Sequence, residues 1–269
     1  MSLLQEIKEK GIHLLFDLEN LRLVTDNVPL FNLIDKNLRN NQFILLYHPV
    51  HKVEGGISHY ECLIRMKDQQ GNLLYPGEFL PVAEQSGLMP QIDYWVIHEA
   101  IKVLQKYEGI NLFVNISGSS LSSEKFLSLI EETVKASDID PRRLGFEITE
   151  TTAIKNVEVV YRWMMVLKKL GCAFALDDFG SGFSSYIYLN DLPIDYLKID
   201  GAFIKDINTS PTKLAIVESI NNLAHKLGIE TVAEYVENED ILITLTKLGV
   251  DYCQGYYFSK PVMLNEIIN

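Results

Sequence analysis

Short runs of β-type residues alternate with amphipathic helical stretches along most of this chain. That alternation restricts the folds open to it more than any other feature. The runs fall at Phe43–His48, His59–Ile64, Leu112–Ile116, Leu144–Ile148, Ala173–Leu176, Tyr196–Ile199, Glu230–Ala233 and Tyr252–Tyr256. Between many of them, Ile92–Tyr107, Ser123–Ala136, Val157–Leu170, Thr212–Leu227 and Glu239–Leu248 carry apolar residues at helical spacing. This pattern points to a parallel α/β fold, because parallel strands are usually joined by helical crossovers. Eight candidate strands favour a closed barrel over an open doubly wound sheet. A length of 269 residues suits a (β/α)8 barrel, which needs roughly 250. Ahead of the alternation, Leu3–Leu15 reads as a helical leader. Asn27-Val28-Pro29 opens a second helix, with Phe31, Leu33, Ile34 and Leu38 on its apolar face. Residues 1–27 are therefore expected to form a leader or linker, and 28–269 the main domain.

Composition removes several functional classes. Hydrophobic residues make up 47% of the chain, enough for a large core. Lys and Arg number 24 against 36 Asp and Glu, a net charge of −12. A duplex nucleic-acid binder would show the opposite balance, and an acidic surface disfavours anionic membranes. No DNA partner is expected. No run of eighteen apolar residues is present, so direct membrane insertion by this chain is not expected, and Met1–Gly11 lacks the apolar segment of a signal peptide. The three cysteines, Cys62, Cys172 and Cys253, form no CxxC pair, which fits a cytoplasmic setting. There is no HExxH, Walker loop or complete GxGxxG; Gly180-Ser181-Gly182 begins the last, but Ser185 stands where its third glycine belongs.

Polar residues interrupt seven successive candidate strands: Glu61, Asn115, Glu147, Asp177-Asp178, Lys198, Glu234 and Gln254. In a barrel, the C-terminal ends of parallel strands converge on one mouth. A single charge at a strand end is usually a solvated or capping residue; seven in succession imply a shared site. Several carboxylates at close range repel unless cations sit among them, and hard oxygen donors suit Mg²⁺ or Mn²⁺. The adjacent Asp177-Asp178 pair could serve two ions, one carboxylate bridging both. Such ion pairs lie about 3.5–4 Å apart and clamp the attacking and leaving oxygens of a phosphodiester. Asn115 adds a neutral oxygen. Lys198 can orient a water or steady phosphate charge, although salt-bridging alone would also account for it.

At these residues the sequence resembles the EAL-domain family of bacterial cyclic di-GMP phosphodiesterases. The similarity runs from about Phe43 to Pro261. It includes Glu61-Cys62-Leu63-Ile64-Arg65, Pro76-Gly77-Glu78-Phe79-Leu80-Pro81-Val82-Ala83-Glu84, Val114-Asn115-Ile116-Ser117 and Phe146-Glu147-Ile148-Thr149-Glu150. It continues with Leu176-Asp177-Asp178-Phe179-Gly180-Ser181-Gly182-Phe183-Ser184-Ser185, Leu197-Lys198-Ile199-Asp200, Val232-Ala233-Glu234-Tyr235-Val236-Glu237 and Gln254-Gly255-Tyr256.

The resemblance implies a modified TIM (β/α)8 barrel whose first strand runs antiparallel to the others. It also implies two-metal hydrolysis of cyclic di-GMP to linear pGpG. By position, Glu61, Asn115, Glu147 and Asp177 would hold one Mg²⁺ or Mn²⁺ ion, and Asp177, Asp178 and Glu234 the second. Lys198 would hold the nucleophilic water, Gln254 would support the site, and Arg65 would contact a substrate phosphate. Glu150 would steady the loop after Asp178, and Glu237 corresponds to a further active-site glutamate grouped with it. Seven of the 36 acidic residues are thereby assigned to one mouth. A homodimer is implied, as is an upstream sensory or GGDEF domain before the leader. The runner-up is a cyclic di-GMP receptor with little or no catalysis. Three positions depart from the family pattern: Cys62 replaces alanine, Tyr235 replaces glycine, and His48 stands where glutamine is usual. Tyr235 and His48 are both expected to face the substrate.

Overall fold

Four residues, Val53 to Gly56, separate β1 (Phe43–Lys52) from β2 (Ile57–Lys67). A parallel return needs a crossover of about a dozen residues, so these strands can only pair antiparallel. They do, from Phe43 opposite Met66 to His51 opposite Ile57. Gly55 and Gly56 take φ of 110° and 85° to make the turn, a region open to glycine without steric cost.

The structure, a computed structural model, describes residues 28–180 and 186–268. The expected leader lies outside the described residues, as does the Ser181–Ser185 part of the glycine-containing loop. After β2 comes the two-residue β3 (Leu73–Leu74), which pairs antiparallel with the C-terminal end of β2. The remaining strands are β4 (Leu112–Asn115), β5 (Leu144–Thr149), β6 (Ala173–Phe179), β7 (Tyr196–Ile199), β8 (Glu230–Ala233) and β9 (Tyr252–Cys253). From β2 through β4 to β9 each strand pairs parallel with the next. Antiparallel pairing of β1 with both β9 and β2 closes the ring. The barrel is therefore the modified form with its first strand reversed.

Helices supply most of the crossovers. The helix Glu239–Leu248 coincides with the segment expected from the sequence. Asn238 caps its start, accepting from Ile241 N, and Gly249 ends it at φ 74°. Helices Met89–Lys106, Glu124–Ala136, Val157–Lys168 and Pro211–Lys226 differ from expectation only at their ends. The helix Val28–Asn40 buries Ile34 and Leu38. The helix Pro76–Gln85 was not apparent from the sequence, since Pro81 lies inside it and proline normally breaks a helix interior. Among the described residues, no helix is long and apolar enough to cross a membrane.

Strand alternation links the barrel's floor to its mouth. Residues i and i−2 share a face, so the interior residues beneath the site are His59, Phe113, Gly145, Ala175, Tyr196, Val232 and Tyr252. His59, Phe113, Tyr196 and Tyr252 pack as an aromatic plug, with centroids 4.2 Å apart for His59–Phe113 and 5.6 Å for Tyr196–Tyr252. Gly145 leaves room for the Phe113 ring; a Cβ there would collide with it. Gly145→Ala is expected to cost about 1–3 kcal/mol through overpacking, read as a lower urea midpoint with an unchanged m-value.

Candidate active site

Lys198 projects from β7 into the mouth and is 2% exposed. Its Nζ lies 2.7 Å from Glu147 Oε2, 3.0 Å from Asp177 Oδ1, 3.1 Å from Glu234 Oε1 and 3.6 Å from Glu61 Oε2. These carboxylates come from β5, β6, the residue after β8, and β2. Register accounts for the convergence: Asn115 stands opposite Glu147, Thr149 opposite Asp177, and Lys198 opposite Val232, two residues before Glu234. Two amides bracket Glu61, with Asn115 Nδ2 donating to Oε1 and Gln254 Nε2 to Oε2, both at 2.9 Å.

Two overlapping carboxylate groups result, Glu61–Glu147–Asp177 and Asp177–Asp178–Glu234. Within each, one oxygen per residue lies within 4.8 Å of the others. Glu147 Oε1 is buried and has no hydrogen-bond partner among the described residues. An orphaned carboxyl oxygen in a hard-oxygen donor set is what a cation site requires. The acidic cluster thus fits a metal.

The surroundings divide the carboxylates electrostatically. Burial pushes Glu147 well above the usual range, with Glu61 and Asp177 adding to the rise and Lys198 opposing it. Glu234 is pushed to about 8 by burial, again against the pull of Lys198. Glu61 feels burial most strongly, yet Lys198 and its two amide donors together outweigh it and hold the group below its ordinary value. Burial acts to lower Lys198, but the four carboxylates prevail and raise it well above its ordinary value. The ammonium therefore stays charged.

At the end of β6 the backbone leaves the ladder between Leu176 and Phe179. Asp178 adopts φ 57°, and its N–H donates to Asp177 Oδ1 at 3.0 Å. Glu150, 1% exposed, accepts from Gly180 N at 3.0 Å and from Tyr188 OH at 2.6 Å. Glu150 thus lies behind the mouth, holding the start of the following loop.

Beside the cluster a cleft is lined by His48, Glu61, Arg65, Glu234, Tyr235, Glu237, Gln254 and Tyr256, among others. Glu237 is an exposed member of this wall. Arg65 is buried, with its guanidinium 4.8 Å from the Tyr75 ring centroid and Nε unpartnered. His48 Nε2 lies 3.1 Å from Ser259 O. Tyr75 was not singled out from the sequence, and Tyr256 entered only as part of the Gln254-Gly255-Tyr256 motif, with no role given to it.

Residues 32–261 match the model of the EAL domain. The chain belongs to the EAL domain family. The cyclic di-GMP phosphodiesterase PdeB of Shewanella oneidensis is 39% identical over 264 residues, covering 94% of this chain and 31% of PdeB. The cyclic di-GMP phosphodiesterase PdeF of Escherichia coli is 36% identical over 252 residues, covering 92% of this chain and 34% of PdeF. The chain thus spans about a third of the length of these curated relatives. Among solved structures, the MucR phosphodiesterase in complex with c-di-GMP superposes with a TM-score of 0.84 at 31% identity, covering 89% of this chain and 99% of that one. The FimX EAL domain from Pseudomonas aeruginosa bound to c-di-GMP gives 0.82 at 32%, covering 87% and 96%.

Two departures of this EAL domain gain physical content. Cys62 is 3% exposed and packed in β2, and burial pushes its thiol well above the ordinary value, so it serves as a small apolar residue. Tyr235 sits at φ 53°, the left-handed region where glycine is free of strain. Its ring covers Gly201, where a Cβ would collide with it, and Lys205 Nζ lies 4.0 Å from the ring centroid.

Glu234 and Glu147 set a pH dependence of stability. Both ionise near 4.5 when unfolded, whereas folded Glu234 holds its proton to about 8 and Glu147 stays well above its ordinary value. The stability this contributes is complete below the unfolded value and is lost as pH rises through the folded one. The lowered pKa values of His48, His51 and His59 act only below 6.5. Without divalent cations, the melting temperature is expected to fall from pH 6.5 to 8, and excess Mn²⁺ is expected to flatten the slope. A flat metal-free profile would contradict the assignment.

Proposed function

We propose that the chain hydrolyses cyclic di-GMP to linear pGpG, using two divalent cations, Mg²⁺ or Mn²⁺. The observation that carries this reading is the sharing of Asp177 between two carboxylate groups around Lys198. Names of the relatives support the substrate. Glu61, Asn115, Glu147 and Asp177 would hold one cation; Asp177, Asp178 and Glu234 would hold the other. When bound, the pair supplies Lewis acidity on the phosphodiester and favours ionisation of water near neutral pH.

The chain's own groups do the rest. Lys198, charged and fixed by four carboxylates, orients the attacking water. Gln254 holds Glu61 in place from the side opposite Asn115. Arg65, which lines the cleft, would contact a substrate phosphate. Tyr235 and His48 form cleft walls for the nucleotide, while Glu150, and Glu237 in a lesser role, steady the rim. A homodimer, an upstream sensory or GGDEF domain and a cytoplasmic site of action complete the proposal.

Purified protein supplied with cyclic di-GMP and Mn²⁺ is expected to release pGpG. Tight binding of cyclic di-GMP without product would replace the enzyme reading with a receptor. Asp177→Ala should reduce turnover by more than about 100-fold, beyond the usual loss from an outer-shell change, with far-UV circular dichroism unchanged. Lys198→Ala should lower kcat on the order of 10²–10⁴-fold while changing Mn²⁺ affinity much less. Equal losses would make Lys198 a purely structural residue.

A further inference from the structure

We infer that Asp93 is a positioning residue for the metal site, acting through Ser117 and Ser120 on Asn115; this inference rests on the two-cation reading above. Asp93 lies on the inner face of helix Met89–Lys106 and is 4% exposed. Its Oδ2 accepts three hydrogen bonds: from Ser117 N at 3.0 Å, Ser117 Oγ at 2.6 Å and Ser120 Oγ at 2.6 Å. None of these donors carries a charge. A carboxylate enclosed this way is costly to bury, and its three donors make it a strong local anchor.

The anchored segment begins where the strand ends. Asn115 is the last residue of β4, and its Nδ2 donates to Glu61. Ile116 N then donates to Glu147 O at 2.9 Å, and Ser117 N to Asp93. Two consecutive backbone N–H groups are therefore fixed immediately after the proposed ligand, one to a ligand strand and one to Asp93. Ser117 Oγ also accepts from Ser120 N at 3.2 Å, capping the short helix Gly118–Leu121. At the start of that helix, Gly118 lies against Thr152, where a Cβ would stand 3.3 Å from the threonine methyl. The chain leaving Asn115 is thus gripped between Asp93 and the segment following β5. Burial pushes Asp93 up to about 6, against the pull of Ser117 and Ser120, so it is ionised at pH 8.

The test is Mn²⁺ binding to the substrate-free protein at pH 8 by titration calorimetry, with melting temperatures recorded alongside. Asp93→Ala is expected to weaken Mn²⁺ binding about 10-fold, within the range seen for outer-shell partners of metal ligands. Asp93→Asn keeps an acceptor oxygen and should stay within about threefold of the parent. In an Asn115→Ala background, Asp93→Ala should add little, because its effect passes through Asn115. A lowered melting temperature with unchanged Mn²⁺ affinity would overturn the proposal, as would effects of Asp93→Ala and Asn115→Ala that multiply in full. Should Asp93→Ala not fold, Ser117→Ala, which keeps the backbone N–H, is expected to weaken binding about 10-fold, the low end for outer-shell partners, and no change there would overturn the proposal equally. Failure of the parent protein to bind Mn²⁺ would instead overturn the two-cation reading beneath it.

Discussion

An ammonium group enclosed by four carboxylates, three buried and one half-buried, governs the upper half of this barrel. Glu61, Glu147, Asp177 and Glu234 arrive from separate strands and would repel one another in a site shielded from water. Lys198 gives them a common counter-charge 2.7–3.6 Å away. Removing one partner from a buried ion pair typically costs about 3–5 kcal/mol, so the five groups stand or fall together. One positive charge does not balance four negative ones. The imbalance is expressed in the raised proton affinities of Glu147 and Glu234, and in the orphaned Glu147 Oε1. Divalent cations would compete with protons for these groups and satisfy that oxygen, which ties metal binding to pH.

The same alternation that aims these groups upward builds their support. Each strand that feeds the cluster places a second interior residue two positions earlier, and those residues fill the barrel beneath the site. Large rings at His59, Phe113, Tyr196 and Tyr252 are accommodated by the small Gly145 and Ala175. A packed floor leaves polar side chains only one direction to face, so the site's rigidity is a property of the barrel rather than of its loops. The loops then adjust access. Tyr235 accepts a strained backbone to lay its ring over Gly201 beside Lys205, and Arg65 rests on Tyr75.

Much of this was legible in the sequence because apolar strands were interrupted at matching positions. Glu61, Asn115, Glu147, Asp177, Asp178, Lys198, Glu234 and Gln254 stood out, and the fold brings them together. Helix Glu239–Leu248 was legible to the residue because Asn238 and Gly249 mark its ends chemically. The reversed first strand followed from family resemblance, although the short Gly55-Gly56 turn already excludes a parallel return. Helix Pro76–Gln85 was hidden by Pro81. For Lys198 the residue alone left salt-bridging open and the water-holding role came from the resemblance; its four carboxylate partners are counted only in the assembled barrel. Asp93 was concealed for a similar reason: its partners lie 24 and 27 residues away, across a helix and a strand.

The central claim is that two cations occupy the carboxylate groups sharing Asp177. Anomalous diffraction from crystals of the Mn²⁺-loaded protein addresses it most directly. Two anomalous peaks are predicted, about 3.5–4 Å apart, one within reach of Glu61, Glu147 and Asp177 and the other of Asp177, Asp178 and Glu234. Peaks absent from this mouth, or a single peak that does not touch Asp177, would contradict the account.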